Sequence, residues 1–162
     1  MAQDMGEHVA GEYLKRLNGC DVINYNVRAR NGGSEGLNEL DVVGFNFETR
    51  TVYLCEVATH LGGLNYGGKS VEHTIEKVLT KHAFQKHYAG KYLTNFENRR
   101  YMLWSPRVSV GKITAALEER APDLELVINE RYTAAVGELR NLASKNTSFT
   151  ADPFFPLCAN NG

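Results

Sequence analysis

The 162-residue chain has no apolar run long enough to span a membrane, and its first residues lack the basic-then-apolar pattern of a secretion signal. Its cysteines are few, odd in number and widely spaced, a pattern that fits neither a disulfide framework nor a metal-binding motif. These absences predict a cytoplasmic protein that makes no membrane contact. The three cysteines are Cys20, Cys55 and Cys158.

A strong net charge is also lacking, because 18 basic residues face 19 acidic ones and the formal net charge is −1. A dedicated nucleic-acid coat protein would be basic, so this balance argues against that class. The charge is nevertheless uneven, since residues 69–100 are rich in lysine and arginine. An enzyme acting on nucleic acid can combine an acidic metal site with such a basic segment, and its net charge then reveals neither of them. The basic residues there are Lys69, Lys77, Lys81, Lys86, Lys91, Arg99 and Arg100.

Hydrophobic periodicity and turn residues predict one domain over residues 1–145 and an irregular tail over residues 146–162. Glycine-rich segments at 29–38 and 61–68 are predicted loops. A hairpin followed by strand–helix–strand units predicts an α/β fold in three layers, with a central mixed β-sheet flanked by helices. The predicted helices cover residues 3–18, 70–93, 109–120 and 130–145, and the predicted strands cover residues 20–28, 39–47, 51–58, 100–104 and 124–128.

Two strands of the predicted hairpin each carry an acid in apolar surroundings. Asp41 precedes Val42 and Val43, and Glu56 follows Leu54 and Cys55. Burying a carboxylate costs free energy unless a cation or hydrogen bonds compensate it. Because the strands are hairpin partners, both carboxylates can point to one place, which is a geometry that can build a divalent-metal site.

Four short motifs follow one another in an order that resembles the PD-(D/E)XK nuclease superfamily. The resemblance covers about the first hundred residues and is nearest to archaeal Holliday-junction resolvases and small bacterial endonuclease-like proteins. It implies a restriction-endonuclease-like fold and a metal-dependent endonuclease that hydrolyses phosphodiester bonds of DNA or RNA. The motifs are Gly6–Leu14, Asn26-Val27-Arg28, Glu39-Leu40-Asp41 and Glu56-Val57.

The same resemblance implies a ligand set for Mg²⁺ or Mn²⁺, built from Asp41, Glu56 and the carbonyl of Val57. Glu7 on the first helix would add a ligand directly or through water, and Glu12 is a less favoured substitute. Strand alternation is expected to put Glu39 on the same face as Asp41, where it would support the metal ligands from outside.

One position departs from the family pattern, because Ala58 stands where a lysine usually follows the glutamate by two residues. Either Lys77, Lys81 or His60 takes over the role of that lysine, or the site is inactive. An inactive site would leave a nucleic-acid-binding or assembly module with a nuclease fold. A third reading, an α/β enzyme acting on small phosphorylated molecules, has no motif to support it.

The second long helix carries residues that echo a Gln-x-x-x-Tyr pattern of related nucleases. Helical spacing puts Gln85 toward the sheet, and the resemblance makes it a candidate catalytic group beside Asp41, Glu56, Lys77 and Lys81. Nucleic acid is the predicted partner, with DNA favoured, and homodimers are common in the resembling families. The predicted nucleic-acid-binding residues are Arg28, Arg30, Lys69, Lys77, Lys81 and Tyr88.

Overall fold

A computed structural model describes residues 4–29, 39–59 and 70–146 of the chain. These ranges contain four helices and five strands. None of the helices within them is both long and apolar enough to cross a membrane. In chain order the elements are α1 Met5–Arg16, β1 Val22–Arg28, β2 Glu39–Asn46, β3 Thr51–Val57, α2 Val71–Tyr92, β4 Asn98–Ser105, α3 Lys112–Arg120, β5 Leu124–Ile128 and α4 Asn129–Lys145.

The strands form one sheet in the order β1-β2-β3-β4-β5. The first three strands are antiparallel, and β4 and β5 continue the sheet parallel to β3. Helices α1 and α4 cover one face, while α2 and α3 cover the other, and each helix layer buries an aliphatic core against the sheet. The predicted three-layer α/β fold with a central mixed sheet is therefore confirmed.

Helix α1 lies unusually close to the sheet because two of its residues have no side chain. A Cβ on Gly6 would stand 2.8 Å from Val57 Cγ1, and one on Gly11 would stand 2.0 Å from Tyr25 Oη. Asp4 caps the helix, since its carboxylate accepts a hydrogen bond from the Gly6 amide at 3.1 Å. The first turn of α1 is thereby held against the end of β3.

The carboxyl edge is the side of the sheet on which the parallel strands β3, β4 and β5 have their C-terminal ends. Strand β2 begins at this edge because it runs antiparallel to β3. The N-terminus of α1 lies there beside Val57, and α3 and α4 begin just after β4 and β5 end. Helix N-termini carry partial positive charge, so the fold directs several such ends toward one edge.

The predicted boundaries of the elements hold to within a few residues, with one informative difference. Helix α3 begins at Lys112 rather than at 109, because the preceding segment is a loop with its own anchors. Val108 is buried in the α2–α3 core, and Gly111, at φ 124, adopts a backbone conformation that favours glycine. The predicted loop at 61–68 and nearly all of the one at 29–38 lie outside the described residues, as does the tail beyond residue 146.

Candidate active site

Asp41 and Glu56 meet across the β2–β3 hairpin at the carboxyl edge. The strand register runs to the pair Val42 and Cys55, so the next position places Asp41 opposite Glu56. The Val57 amide donates to Asp41 Oδ2 at 2.8 Å, so the Asp41 side chain takes the place of a backbone acceptor where the two strands stop pairing. The structure thus brings together the two acids that the hairpin pattern predicts to converge.

Glu7 joins this pair from the first turn of α1. The negative charge of Asp41 acts on it, and Asn26 of β1 provides a side-chain hydrogen bond. Its second oxygen, Oε2, is buried and has no hydrogen-bond partner within the described part of the chain. A buried oxygen without a donor costs free energy, so this atom is a candidate ligand for a cation.

The three carboxyl groups all have a raised pKa. Burial is the main cause for each, and the neighbouring charge of Asp41 adds to it for Glu7 and Glu56. Burial and Asp41 together raise the pKa of Glu56 to about 8, although Lys81 acts in the opposite direction. A bound cation would relieve this crowding of negative charge.

Lys81 of α2 contacts Glu56, with its Nζ 3.2 Å from Glu56 Oε1. Both side chains are largely buried, with exposed fractions of 9% and 16%. Lys77, one helical turn away, is exposed to solvent. Of the two lysines that the sequence leaves open, Lys81 is the one that reaches the carboxylates. His60 lies outside the described residues.

The Gln85 side chain ties α2 to the sheet below the carboxylates. Its amide nitrogen donates to the carbonyls of Leu54 at 3.0 Å and Met102 at 3.3 Å, and its oxygen faces His82 Nδ1 at 3.3 Å. The residue is 1% exposed, which confirms that it faces the sheet. These bonds make Gln85 a positioning residue for α2 in the described structure, and a catalytic role for it stays a prediction.

Strand alternation is interrupted at Asp41. Residues two apart in a regular strand share a face. The pairs on either side of Asp41 instead belong to different cores: Tyr25 with Val42 packs toward α1, and Val27 with Leu40 packs toward α2. Asn26, opposite Asp41, has φ 52, a left-handed conformation that turns β1 over between these pairs. This fault in the pleat positions both Asn26 and Asp41.

Alternation therefore does not decide whether Glu39 shares the face of Asp41, and that expectation stays a prediction. Glu39 Oε2 accepts a hydrogen bond from Arg28 Nε at 2.8 Å across β1 and β2. Its negative charge still acts on Asp41 and raises the pKa of that carboxyl. Glu12, the substitute for Glu7, is buried and binds Arg16 Nε at 3.1 Å within α1.

The predicted nucleic-acid-binding residues are spread over different environments. Arg28 is exposed and pairs with Glu39, and Lys77 is exposed on α2. The half-buried ring of Tyr88 packs against Phe84 and Tyr92 rather than standing free in solvent. Arg30 and Lys69 lie outside the described residues.

Sequence reasoning missed the role of Asn26 and the polar chain that continues from Gln85. His82 Nε2 lies 2.8 Å from Asp123 Oδ1, and Lys86 Nζ lies 2.9 Å from the other oxygen. Burial opposes ionisation of Asp123, but these two partners outweigh it and lower its pKa to about 2. Asn26 carried a signal, since asparagine is depleted in strands.

The donor chemistry of the site fits a hard divalent cation, because all three side chains are carboxylates and oxygen is the ligand that Mg²⁺ and Mn²⁺ prefer. The buried, unpartnered oxygen of Glu7 and the raised pKa values support this fit. Among the described residues, no three His, Cys, Asp or Glu side chains already stand in a metal-coordinating arrangement. Glu56 contacts Lys81 and Asp41 binds an amide, so coordination requires these contacts to rearrange.

No protein-family model matches the chain. The chain is similar to proteins named "UPF0102 protein" from Mycobacterium tuberculosis and Mycobacterium bovis, with 37% identity over 95 residues. The similar segment covers 59% of this chain and 65% of each relative, which is less than two thirds of their length. The chain is thus similar to the UPF0102 proteins, whose name specifies no activity.

Proposed function

We propose that this chain is a metal-dependent nuclease that hydrolyses phosphodiester bonds of DNA or RNA. The observation that carries the proposal is that Asp41 and Glu56 lie opposite each other at the carboxyl edge, with the buried Lys81 in contact with Glu56 and with Glu7 within range of the charge of Asp41. Buried acids with raised pKa values in contact with a specific charged partner are typical of functional sites. The resemblance of the sequence motifs to PD-(D/E)XK nucleases supports the reaction class.

In this proposal Asp41, Glu56 and Glu7 hold Mg²⁺ or Mn²⁺, which when bound would activate water and offset negative charge on the phosphate. The amide of Val57 fixes the orientation of the Asp41 carboxylate through its 2.8 Å hydrogen bond. Gly6 allows α1 to approach Val57, and so brings Glu7 within range of Asp41. The ammonium of Lys81 donates to a phosphate oxygen placed beside the carboxylates.

We also propose that Lys81 takes the role of the lysine that the PD-(D/E)XK pattern has at the position of Ala58. Helix α2 passes over β3 so that Gln85 meets Leu54 and Lys81 meets Glu56. Four helical residues span about 6 Å and two strand residues span about 6.6 Å, so both contacts between the helix and the strand can form at once. A lysine on the helix can therefore deliver its charge to the site that a lysine on the strand would serve.

A second function, a non-catalytic nucleic-acid-binding or assembly module, is favoured by the Lys81–Glu56 pair itself. Lys81 contacts one of the carboxyl groups, so that group has a partner without a metal ion. Such a module would bind nucleic acid without turnover, and divalent cations would change its melting temperature little.

Titration with Mg²⁺ and Mn²⁺ against plasmid DNA, branched DNA and RNA tests the proposal. We expect metal-dependent cleavage that Asp41→Ala abolishes. Lys81→Met should lower kcat by about 100-fold, the usual effect of removing one donor to a developing negative charge. Lys77→Met, on the same helix and exposed, is the matched control and should keep its kcat within about threefold, since it removes no such donor.

Equal cleavage by the wild-type protein and Asp41→Ala would refute the assignment of the site. A wild-type protein that binds nucleic acid but cleaves none of the three substrates with either metal would favour the non-catalytic module. Equal losses in Lys77→Met and Lys81→Met would remove the special role of Lys81 and leave the metal site standing.

A further inference from the structure

The ring of His82 is buried, and the proposed reaction gives it no role. It is 6% exposed, follows Lys81 on α2 and faces the sheet, where the Tyr101 ring of β4 packs edge-on at 5.4 Å between centroids. Burying an imidazole costs free energy unless its two nitrogens find hydrogen-bond partners. The identity of those partners therefore decides which protons the ring carries.

Both ring nitrogens face hydrogen-bond acceptors. Nε2 lies 2.8 Å from Asp123 Oδ1, and this carboxyl is ionised at pH 7, because burial raises its pKa but its hydrogen-bond partners outweigh burial and lower the pKa to about 2. Nδ1 lies 3.3 Å from Gln85 Oε1. The Gln85 amide cannot be turned around, since its nitrogen donates to the carbonyls of Leu54 and Met102. A neutral imidazole has one N–H group and can satisfy only one of these two acceptors.

The cost of leaving one acceptor unmet exceeds the cost of adding a second proton. An ordinary imidazole at pH 7 disfavours its second proton by about threefold. A buried acceptor without a donor is disfavoured by about 5- to 150-fold, the equivalent of its usual desolvation penalty. Burial of the charged ring opposes the second proton, and the contact with the Asp123 carboxylate offsets this cost. The balance therefore favours a ring with a proton on each nitrogen.

The other charged groups near the ring are paired with one another. Lys86 Nζ lies 2.9 Å from the second oxygen of Asp123, and Arg120 of α3 pairs with Glu72 and Glu76 of α2. Several of these side chains line an open groove of about 670 Å³ between α2 and α3, which also reaches the ring. Among the described residues, the Asp123 carboxylate is thus the charge in direct contact with the ring, and the groove connects the ring to water.

We infer that His82 is a positioning residue of the proposed active site, where it carries a proton on both ring nitrogens and joins Gln85 to Asp123 as an imidazolium. Through these two partners the ring links α2 to β3, to β4 and to the residue before β5. Lys81, its neighbour in the chain, is thereby held beside Glu56. The role in catalysis rests on the proposed function, whereas the protonation of the ring does not.

Nuclear magnetic resonance of protein with nitrogen-labelled histidines tests the protonation, because couplings to the ring carbon protons show which ring nitrogens carry a proton. His82→Gln identifies the signals of His82 among the five histidines. We expect both of its ring nitrogens to be protonated at pH 7 in the folded protein. Asp123→Asn should reduce the doubly protonated fraction to about one quarter, that of an ordinary imidazole. Lys86→Met, the matched control, removes the other partner of Asp123 and should keep both protons.

Cleavage kinetics test the positioning role. Asp123→Asn should lower kcat about tenfold at pH 7.5, because a displaced lysine is a poor donor to the transition state, and leave KM within about threefold. The ratio of its kcat to that of the wild-type protein should rise about fivefold between pH 7.5 and pH 6, where an ordinary imidazole gains its second proton. The free energy of unfolding at the same two pH values shows whether a change in the amount of folded protein causes this rise. Lys86→Met should keep kcat within about threefold, because an exposed ion pair contributes little.

A bare ring nitrogen in most molecules of the folded wild-type protein at pH 7 would overturn the inference, whether or not the protein cleaves nucleic acid. Both nitrogens protonated, with an unchanged kcat in Asp123→Asn, would overturn the positioning role and leave the nuclease proposal intact. Both nitrogens protonated in a protein that cleaves none of the substrates would refute the nuclease proposal and the role in catalysis, and would leave the imidazolium itself standing.

Discussion

Replacing Glu56 by glutamine should make the free energy of unfolding of the metal-free protein depend less on pH between pH 5 and pH 8. Burial and the charge of Asp41 raise the pKa of Glu56 from an ordinary value of 4.5 to about 8. The folded protein therefore keeps a proton that the unfolded chain releases above pH 4.5. The stability that this proton supports is fully present below the unfolded pKa and is lost as pH rises through the folded pKa.

The size of the effect follows from the two pKa values. Each pH unit between them costs about 1.4 kcal/mol, so the wild-type free energy of unfolding should fall by about 3 kcal/mol between pH 5 and pH 8 relative to Glu56→Gln. Glutamine stands in for the protonated side chain beside Lys81, and any difference in how the two neutral groups contact that ammonium is nearly constant while Glu56 keeps its proton. The change with pH, rather than the absolute difference at one pH, is thus the quantity to measure.

Urea unfolding of both proteins at several pH values between 5 and 8, with a chelator present, supplies these free energies. Glu118→Gln serves as the control, because Glu118 lies exposed on α3 and its loss removes the same formal charge. A wild-type protein and a Glu56→Gln variant whose difference in stability stays constant from pH 5 to pH 8 would show that Glu56 ionises normally. The electrostatic reasoning behind the candidate site would then fail.

Three further results are expected. Gln85→Leu should lower the free energy of unfolding by about 2 kcal/mol in urea, since two backbone carbonyls lose a buried donor; a neutral effect would mean that the amide does not hold α2. Gly6→Ala should cost about 1–3 kcal/mol in thermal unfolding, because its Cβ meets Val57 Cγ1 at 2.8 Å; full stability would show that α1 can move away freely. Mn²⁺ at 100 times its dissociation constant should stabilise the wild-type protein by about 2.7 kcal/mol and Asp41→Asn hardly at all; an equal gain in both would place the cation elsewhere.

Local patterns predict most of the fold, because the hydrophobic periods of helices and strands can be recognised from residues that are close together in the chain. The convergence of Asp41 and Glu56 could also be predicted from the sequence, because a short turn between two strands fixes which residues face each other. The resemblance to PD-(D/E)XK nucleases led to the expectation that Glu7 belongs with them, and the charge that Asp41 exerts on Glu7 agrees with this placement.

The sequence did not predict which of Lys77 and Lys81 contacts Glu56. That choice depends on how far α2 lies along β3, which is set by packing between segments distant in the chain. The failure of alternation at Asp41 has a similar origin, because it follows from the left-handed backbone of Asn26 on a neighbouring strand. The hydrogen bonds between the Asn129 side chain and the Val108 amide and carbonyl likewise join residues that no periodicity connects.

The amide of Gln85 also has a consequence for how the chain avoids misfolding. Lys77 and Lys81 lie four residues apart, so a slide of α2 by about 6 Å would exchange the lysine that contacts Glu56. In the observed setting Gln85 donates to the buried carbonyls of Leu54 and Met102, and such a slide would leave both carbonyls without this donor. The amide thereby favours the setting of α2 in which Lys81, and not Lys77, stands beside Glu56.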